Sequence, residues 1–300
     1  MFVYLDNSST TKPYDRVVDA MTKVLREDFG NPSSLHVLGI EAEKYIKGAR
    51  KSLAKALGVS EEEVYFTSCG TESDNTAIIE GAMSRRRRGK KIITTSVEHP
   101  AVLEPVKRLE SMGFEVEYIG VDDKCRLDTD RLRNALTEDT VMISVMSVNN
   151  ETGAIMPIEE IGRIKDEFNK SHGCDILFHT DAVQAFGKIP VITTGVDMIS
   201  VSGHKIHGPK GIGGLYIRKG LAVPAFMMGG GQENNMRSGT ENTAGIAGFG
   251  KAADISTENF SNRVAAMTSA RSRLLEGLKA EIKDIVVNLS LIHISEPTRH

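Results

Sequence analysis

A lysine bracketed by glycines is the residue of this sequence best suited to covalent chemistry. Ser202, His204 and Lys205 lie in SVSGHKIHGPKGIGGLYI (200–217), at the end of a predicted strand. A lysine held there among small groups loses hydration, which lowers its pKa and favours the free amine that a Schiff base requires. The alternative interpretation is a surface lysine in a hairpin. The GIGG sequence leads into a strand rather than a helix, so it does not predict a dinucleotide site.

An aspartate and a histidine follow two other predicted strands. Asp181 comes directly after the apolar run DILFHT (175–180), and a partly buried carboxylate needs a cationic or hydrogen-bonding partner. His99 lies in SVEHPAV (96–102), just before a proline that begins a helix. Taken singly, an N-cap or structural ion pair for the aspartate, and a structural or surface position for the histidine, are the commoner outcomes.

Three further loops carry polar groups that could bind an anion. In TSCGTESDN (67–75), Gly70 permits close backbone approach, and Thr71 opens a helix whose free N–H groups attract anions. The alternative is a simple N-cap by Thr71, with Asp74 near the helix dipole.

The other two loops are longer. In MGGGQENNMRSGTEN (228–242), Arg237 and Thr240 could grip an anion held by a neighbouring subunit. The loop SVNNETGAIMPI (147–158) places Asn150 at the sheet edge, although asparagine and glycine also favour ordinary turns.

Alternating strands and helices must position these loops. The strand-like runs are VYFT, KIITTS, FEVEYIG, VMISVMSV, DILFHTDAV, DMISVSGHK and GIGGLYI. Helical patterns separate most of them, at 13–29, 39–57 (ending at Gly58), 71–88, after Pro100, near 128–136 and at 157–173. This alternation predicts a mainly parallel sheet covered by helices on both faces, with ligands at the carboxyl ends of the strands. A helix near Asn242 is expected to be a long connector into a second, smaller domain.

Composition excludes several other classes. Among 300 residues, 40% are hydrophobic and the net charge is −3, which favours a soluble globular protein over a nucleic-acid binder. No apolar run approaches the roughly 20 residues of a membrane helix. Three scattered cysteines and eight dispersed histidines form no disulfide framework and no metal-ligand cluster. We expect a cytoplasmic α/β protein with no nucleic-acid or membrane partner.

Together, a Schiff-base lysine, an aspartate, a histidine and a phosphate-binding helix start are the parts of a pyridoxal phosphate site. The aspartate would pair with the pyridinium nitrogen and keep it protonated, so that the ring acts as an electron sink. The motifs YLDNSSTT, GNPSSLH, TSCGTESDN, VEHPAV, VNNETG, HTDAVQ, SGHKIHGPKGIG and RSGTEN occur in this order. In them, residues 3 to 288 resemble the cysteine desulfurases of the NifS/IscS group, which are class V aminotransferase-like enzymes of fold-type I.

The resemblance implies a role for each matching residue. Lys205 would form the Schiff base with pyridoxal 5'-phosphate and later move protons at Cα. Asp181 would hold the ring nitrogen, Gln184 would hydrogen-bond the phenolic oxygen, and His99 would stack on the ring and assist proton transfer. Asn150 would lie beside the ring and the substrate. The phosphate would be held by residues of three loops: Gly70, Thr71, Ser202, His204 and, from the partner subunit of a homodimer, Thr240.

The resemblance also implies the reaction. L-cysteine would give L-alanine and an enzyme persulfide, which would supply a sulfur-acceptor protein, either an iron–sulfur scaffold or a tRNA-thiolation protein. The alternatives are a selenocysteine lyase or related class V aminotransferase, and a non-enzymatic scaffold. The family's persulfide cysteine and substrate-binding arginine lie further along the family's chain, and none of Cys69, Cys125 and Cys174 is a good substitute. We therefore expect cofactor binding without full turnover.

Four segments are expected. Residues 1–14 form an N-terminal arm that contributes to the small domain, and 15–250 form the large cofactor-binding domain. Residues 251–288 form the connector helix and the start of an incomplete small C-terminal α/β domain. The last twelve residues, LSLIHISEPTRH (289–300), resemble a translated sequencing adaptor and are interpreted as an artefact, the alternative being a genuine strand and tail.

Overall fold

One seven-stranded sheet organises the chain in the computed structural model, which describes residues 3–287. The strand order is β1-β7-β6-β5-β4-β2-β3, and β7 runs antiparallel to both of its neighbours while the other pairs are parallel. The strands are β1 Val64–Thr67, β2 Lys91–Thr95, β3 Glu115–Ile119, β4 Thr140–Ser144, β5 Leu177–Asp181, β6 Met198–Ser202 and β7 Gly213–Ile217. The predicted mainly parallel, seven-stranded architecture is confirmed.

Helices cover both faces of this sheet, as predicted. They are α1 Asp15–Arg26, α2 Val37–Leu57, α3 Gly70–Asn75, α4 Gly81–Arg85, α5 Pro100–Ser111, α6 Thr129–Ala135, α7 Ile158–His172, α8 Thr243–Thr257 and α9 Phe260–Glu281. A π turn, Thr76–Glu80, joins α3 to α4, and short 3-10 turns occupy Glu61–Glu63, Gly203–Lys205 and Glu233–Asn235. The predicted C-cap of α2 is confirmed, because Gly58 has the left-handed backbone that favours glycine, with φ 72°.

Neighbouring residues of the central strands belong to two different cores. Phe178 and Ile199 pack with α2, α7 and α8, whereas Leu177 and Met198 pack with the π turn and α5. Successive side chains of a strand point to opposite faces, so a continuous apolar run is what a strand covered on both sides requires. All five residues of each of β2, β4, β5, β6 and β7 are buried.

The described chain after residue 242 is mostly helical, as expected. It contains α8 and α9, separated by Asn259, which has a positive φ of 49°. Helix α8 packs against α1 and α2, and its residues Ala252 and Ala253 are fully buried, so it crosses the predicted boundary at residue 250. The division into domains stays a prediction, and the interpretation of residues 289–300 lies outside the described residues.

Within residues 3–287, none of the helices is long and apolar enough to cross a membrane.

Candidate active site

A cavity of about 620 Å³ lies at the carboxyl ends of β1, β2, β4, β5 and β6. The loops after these five strands, which all run in the same direction, contribute to it, as expected for ligand sites in sheets of this kind. Of the ten residues to which the resemblance assigns a role, nine line this one cavity: Gly70, Thr71, His99, Asn150, Asp181, Gln184, Ser202, His204 and Lys205. The structure therefore brings together residues that are separated by up to 135 positions along the chain.

Lys205 ends the 3-10 turn that directly follows β6. Its Nζ donates to two backbone carbonyl oxygens of the N-terminal segment, Ser8 O at 2.6 Å and Ser9 O at 2.9 Å. Burial lowers the pKa of the Lys205 amine, although Asp181 and Asp6 oppose this effect. The β6–β7 connection thus holds the amine against a cavity, which favours the nucleophilic lysine over the alternative of a plain surface residue.

Asp181 is the last residue of β5, and its carboxylate is buried at the floor of the cavity. Its Oδ1 accepts a hydrogen bond from the backbone N–H of Val183 at 2.8 Å. Burial raises the pKa of Asp181 to about 7, and the nearby carboxylate of Asp74 acts in the same direction. Among residues 3–287, Asp181 forms no ion pair, so a bound cation or a protonated ring nitrogen would stabilise its charged form.

A cradle for an anion forms where α3 begins. At Gly70, a Cβ atom would lie 2.8 Å from Val183 Cγ2, so only glycine leaves this approach open. Opposite it, the hydroxyl of Ser202 is buried and finds no hydrogen-bond partner in the described part of the chain. A buried hydroxyl without a partner is costly, and a bound ligand that accepts from it would remove that cost.

His204 completes this side of the cavity. Its Nδ1 lies 3.2 Å from Thr10 Oγ1, and its backbone carbonyl accepts from Thr11, so the N-terminal segment fixes the ring. Burial and the charge of Lys205 lower the pKa of His204 to about 4. The ring is neutral at pH 7 and acts as a hydrogen-bonding group rather than as a cation.

His99 is the N-cap of α5, and its ring orientation follows from that position. Its Nδ1 accepts a hydrogen bond from the backbone N–H of Ala101 at 3.0 Å. In the neutral ring the proton must therefore be on Nε2, the nitrogen that is free to act in the cavity. The N-cap role and the catalytic role thus do not compete, because they use different ring nitrogens.

Some groups in and behind the cavity were not found from the sequence. Asp74, interpreted there as a residue near the helix dipole, is buried, and its Oδ1 lies 3.4 Å from His179 Nε2. His179 also lies within hydrogen-bond distance of Ser144 and Ser200, and burial lowers its pKa to about 4. Their positions depend on strand register, which pairs β4 with β5 and β5 with β6.

A buried glutamate supports the loops that carry His99 and Asn150. Glu98 accepts from Thr95 Oγ1 at 2.6 Å and from the backbone N–H of Met146 at 3.0 Å, and so joins the end of β2 to the end of β4. Burial raises the pKa of Glu98 to about 8. Its position directly before the predicted histidine is the one signal in the sequence that could have indicated it.

Thr240 does not lie with the other nine residues. It lines a separate cavity of about 120 Å³, next to β1 and the loop that precedes β7. Arg237, which was expected to grip an anion, is instead bound to Glu72, with its Nε 2.9 Å from Glu72 Oε1. That expectation is corrected, because a carboxylate of the same chain already satisfies the guanidinium.

The cavity residues fit pyridoxal phosphate. Lys205 offers an amine, Asp181 offers a buried carboxylate for a protonated ring nitrogen, and Ser202 offers an unpartnered hydroxyl for a phosphate. In residues 3–287, no group of three or more histidine, cysteine, aspartate or glutamate side chains could hold a metal ion. The fold and the site together define a fold-type I pyridoxal phosphate enzyme.

Comparison with known proteins narrows this class. Residues 3–294 match the family described as aminotransferase class-V, and the chain belongs to that family, which depends on pyridoxal phosphate. The cysteine desulfurase IscS of Dictyoglomus turgidum is 46% identical over 288 residues, covering 95% of this chain and 72% of the relative. IscS of Methanosarcina thermophila is 48% identical, covering 92% and 67%.

Solved structures agree with this placement. A NifS-like protein superposes with a TM-score of 0.90 at 45% identity, covering 93% of this chain and 76% of the other. A structure described as SspA in complex with cysteine superposes with a TM-score of 0.80 at 37% identity, covering 84% and 72%. The resemblance to cysteine desulfurases, the fold class and the cofactor inferred from the sequence are confirmed.

Proposed function

We propose that the protein is a cysteine desulfurase, a sulfurtransferase that uses pyridoxal phosphate to remove sulfur from L-cysteine and leave L-alanine. One observation carries the proposal: the amine of Lys205, the carboxylate of Asp181 and the unpartnered hydroxyl of Ser202 meet in one cavity. The similarity to cysteine desulfurases supports the choice of substrate within the family.

Different residues of the cavity would bind different parts of the cofactor. Asp181 would keep the ring nitrogen protonated, and Ser202, His204, Gly70 and Thr71 would hold the phosphate. When bound, the cofactor supplies an electron sink that stabilises negative charge at the substrate Cα. Gln184 would donate a hydrogen bond to the ring oxygen from its Nε2, which in this structure donates to Ser8 O at 2.9 Å.

Lys205 and His99 handle protons. Lys205 has a pKa lowered by burial, so its amine can take a proton from the substrate Cα and return one to the product. His99 presents Nε2 to the cavity, because Nδ1 is already bound to Ala101 N–H. From this position we assign it to proton transfer at the substrate sulfur or amine, and Asn150 to the ring and substrate.

The sulfur must pass to a thiolate, and the three cysteines of these 300 residues are poorly placed for that role. Cys125 is buried, and Cys174 lies before β5, at the edge of the sheet opposite the cavity. Burial raises the pKa of the Cys174 thiol. Cys69 does line the cavity, but at the N-cap of α3, within the phosphate cradle. We therefore expect this chain to bind cofactor and substrate but to release little sulfide.

We also propose a homodimer, with Thr240 reaching the cavity of the partner subunit. Thr240 is exposed and does not line the candidate cofactor cavity of its own chain. Several apolar side chains around the start of α2 are exposed as well, and a second copy of the chain would cover them: Phe29, Leu35, Val37, Leu38 and Ile40. A sulfur-acceptor protein and a cytoplasmic location stay predictions.

The test is to locate the cofactor on the chain. The protein is loaded with pyridoxal phosphate, reduced with borohydride and mapped by peptide mass spectrometry. We expect the label on Lys205, no label in Lys205→Ala, and a normal label in the matched variant Lys210→Ala, which changes an exposed lysine of the same loop. A label on Lys210 or on another lysine would contradict the proposal. Addition of L-cysteine to the loaded protein should then change its absorbance, and L-alanine should not do so to the same extent.

A further inference from the structure

Lys188 lies behind the cavity and contacts one of the residues that line it. It follows β5 in a segment of tight turns, four residues after Gln184, so the two side chains share one side of the turn. Its Nζ donates to Gln184 Oε1 at 2.8 Å. The side chain is half-buried, and within residues 3–287 it forms no ion pair with a carboxylate.

This contact determines which way the amide of Gln184 faces. An ammonium group has three donors and no acceptor, so only the oxygen of the amide can face Lys188. The NH₂ group must then face the other way, and there its Nε2 donates to Ser8 O at 2.9 Å. The same carbonyl oxygen accepts from Lys205 Nζ at 2.6 Å, so Gln184 presents its donor beside the reactive lysine.

The charge of Lys188 acts in the same place. A half-buried ammonium group with no carboxylate partner is disfavoured, and burial together with nearby Lys205 lowers the pKa of Lys188 to about 8. The charge of Lys188 also helps to lower the pKa of His204 and of His207, which favours the neutral form of each ring. An anionic ligand in the cavity would offset the accumulated positive charge.

We propose that Lys188 is a positioning residue for the cofactor: it fixes the amide of Gln184 so that an N–H donor faces the ring oxygen, and it places a positive charge behind that donor. The inference rests on the proposed function, because it concerns the same cavity and the same cofactor. Lys188 acts through Gln184 and does not touch the substrate.

The experiment is a double-mutant cycle on the cofactor-loaded chain. Lys188→Met removes the donor and the charge while keeping an unbranched side chain, and Lys188→Arg restores both. Gln184→Ala removes the group through which Lys188 is proposed to act, alone and combined with Lys188→Met. Lys210→Met is the matched control, because it removes a nearby exposed charge that does not contact Gln184. The readouts are pyridoxal phosphate affinity and the pH midpoint of the absorbance change of the bound cofactor.

We expect Lys188→Met to weaken affinity roughly tenfold and to raise the pH midpoint by roughly one unit, since a fixed donor and a cation favour the more negative form of the bound cofactor. Lys188→Arg should recover most of both effects, and Lys210→Met should show neither. In the Gln184→Ala background, Lys188→Met should add little, because the two residues act as one unit.

The outcomes separate this inference from the proposed function. If the unchanged protein develops no cofactor absorbance at all, the proposed function fails. If it does, and Lys188→Met leaves the pH midpoint in place or adds its full effect in the Gln184→Ala background, the positioning role is refuted. Thermal unfolding of each variant without cofactor identifies a loss of fold, and in that case Lys188→Arg decides: an arginine variant that folds but keeps the altered midpoint also refutes the role.

Discussion

At the scale of single residues, the cavity contains groups that folding alone does not favour. Ser202 buries a hydroxyl without a partner, Asp181 buries a carboxylate without an ion pair, and burial of the Lys205 amine lowers its pKa. Each arrangement costs free energy in the absence of a ligand. Sites of function are where such local conflicts are expected, because the ligand resolves them.

Replacement of Ser202 tests whether its buried hydroxyl lowers the stability of the fold and raises the affinity for the cofactor. In Ser202→Ala, a buried hydroxyl without a partner is lost, so without cofactor the free energy of unfolding should stay equal or rise by about 1 kcal/mol. Affinity for pyridoxal phosphate should fall roughly tenfold, because one phosphate donor is missing. Denaturant unfolding and cofactor titration measure the two effects. A variant that loses stability and keeps its affinity would show that the hydroxyl is structural.

The buried carboxyl of Glu98 predicts how stability depends on pH. Its pKa is raised from 4.5 to about 8 in the folded protein, so the folded state holds this proton more tightly than the unfolded state does. The stability it contributes is fully present below about pH 4.5 and is lost as the pH rises toward 8. Glu98→Gln cannot ionise, so its stability relative to the unchanged protein should increase through this window.

The difference in the free energy of unfolding between Glu98→Gln and the unchanged protein isolates the contribution of Glu98. Asp74 and Asp181 shift in the same direction as Glu98, and His179 and His204 shift in the opposite direction, but these groups are common to both proteins and largely cancel. Denaturant unfolding at several pH values between 5 and 8 gives the difference. A difference that does not change with pH would mean that Glu98 ionises normally in the fold.

At the scale of elements, the sequence predicts the strands and helices whose residue composition is distinctive. It misses features that depend on which elements pack together. All seven strands were found from apolar runs, because strands buried on both faces need them. The reversed direction of β7 was not found, since the order of apolar residues is the same in either direction. The π turn Thr76–Glu80 lies inside what the pattern predicts as one helix.

The approach of β7 to the phosphate cradle gives a prediction at this scale. A Cβ at Gly213 would lie 2.5 Å from the backbone carbon of Cys69, so Gly213→Ala must displace the loop before α3. We expect a loss of about 1–3 kcal/mol in the free energy of unfolding, together with weaker cofactor binding. In the matched variant Gly48→Ala, on an open face of α2, the new methyl group meets nothing within 4 Å. That variant should gain about 0.5–1 kcal/mol. Equal effects of the two substitutions would show that β7 does not fix the loop.

At the scale of the whole molecule, nine of the ten residues with a predicted role in the site lie in one cavity and the tenth lies apart. Nine predicted residues converge because the carboxyl ends of parallel strands meet at one edge, which chain order alone could indicate. The contact of His179 with Asp74 could not be predicted in the same way. It depends on the register in which β4, β5 and β6 pair and on the placement of α3 beside them, and residue types alone do not indicate either. Thr240 lies elsewhere, and its proposed role requires a second subunit.

Mixing of two defective variants tests that role directly. Lys205→Ala cannot attach the cofactor, and Thr240→Val lacks the hydroxyl proposed to reach the partner's phosphate, so each homodimer should bind poorly. In a mixed dimer, one cavity combines Lys205 of the Thr240→Val chain with Thr240 of the Lys205→Ala chain. After unfolding and refolding of an equal mixture, about a quarter of all sites should regain tight binding with borohydride-stable label.

The recovery of tight binding distinguishes a Thr240 that acts in its own chain from a Thr240 that acts in the partner subunit. If Thr240 acts within its own chain, every Lys205 in the mixture belongs to a chain that carries the Thr240→Val substitution, and no tight site can form whatever the oligomeric state. If the chain is a monomer, mixing has no effect, and size-exclusion chromatography shows a single-chain mass. Tight binding that appears only after the mixture is refolded together therefore requires a dimer and also requires that Thr240 cross its interface. This is because neither variant contains a complete site and only exchange of subunits can assemble one.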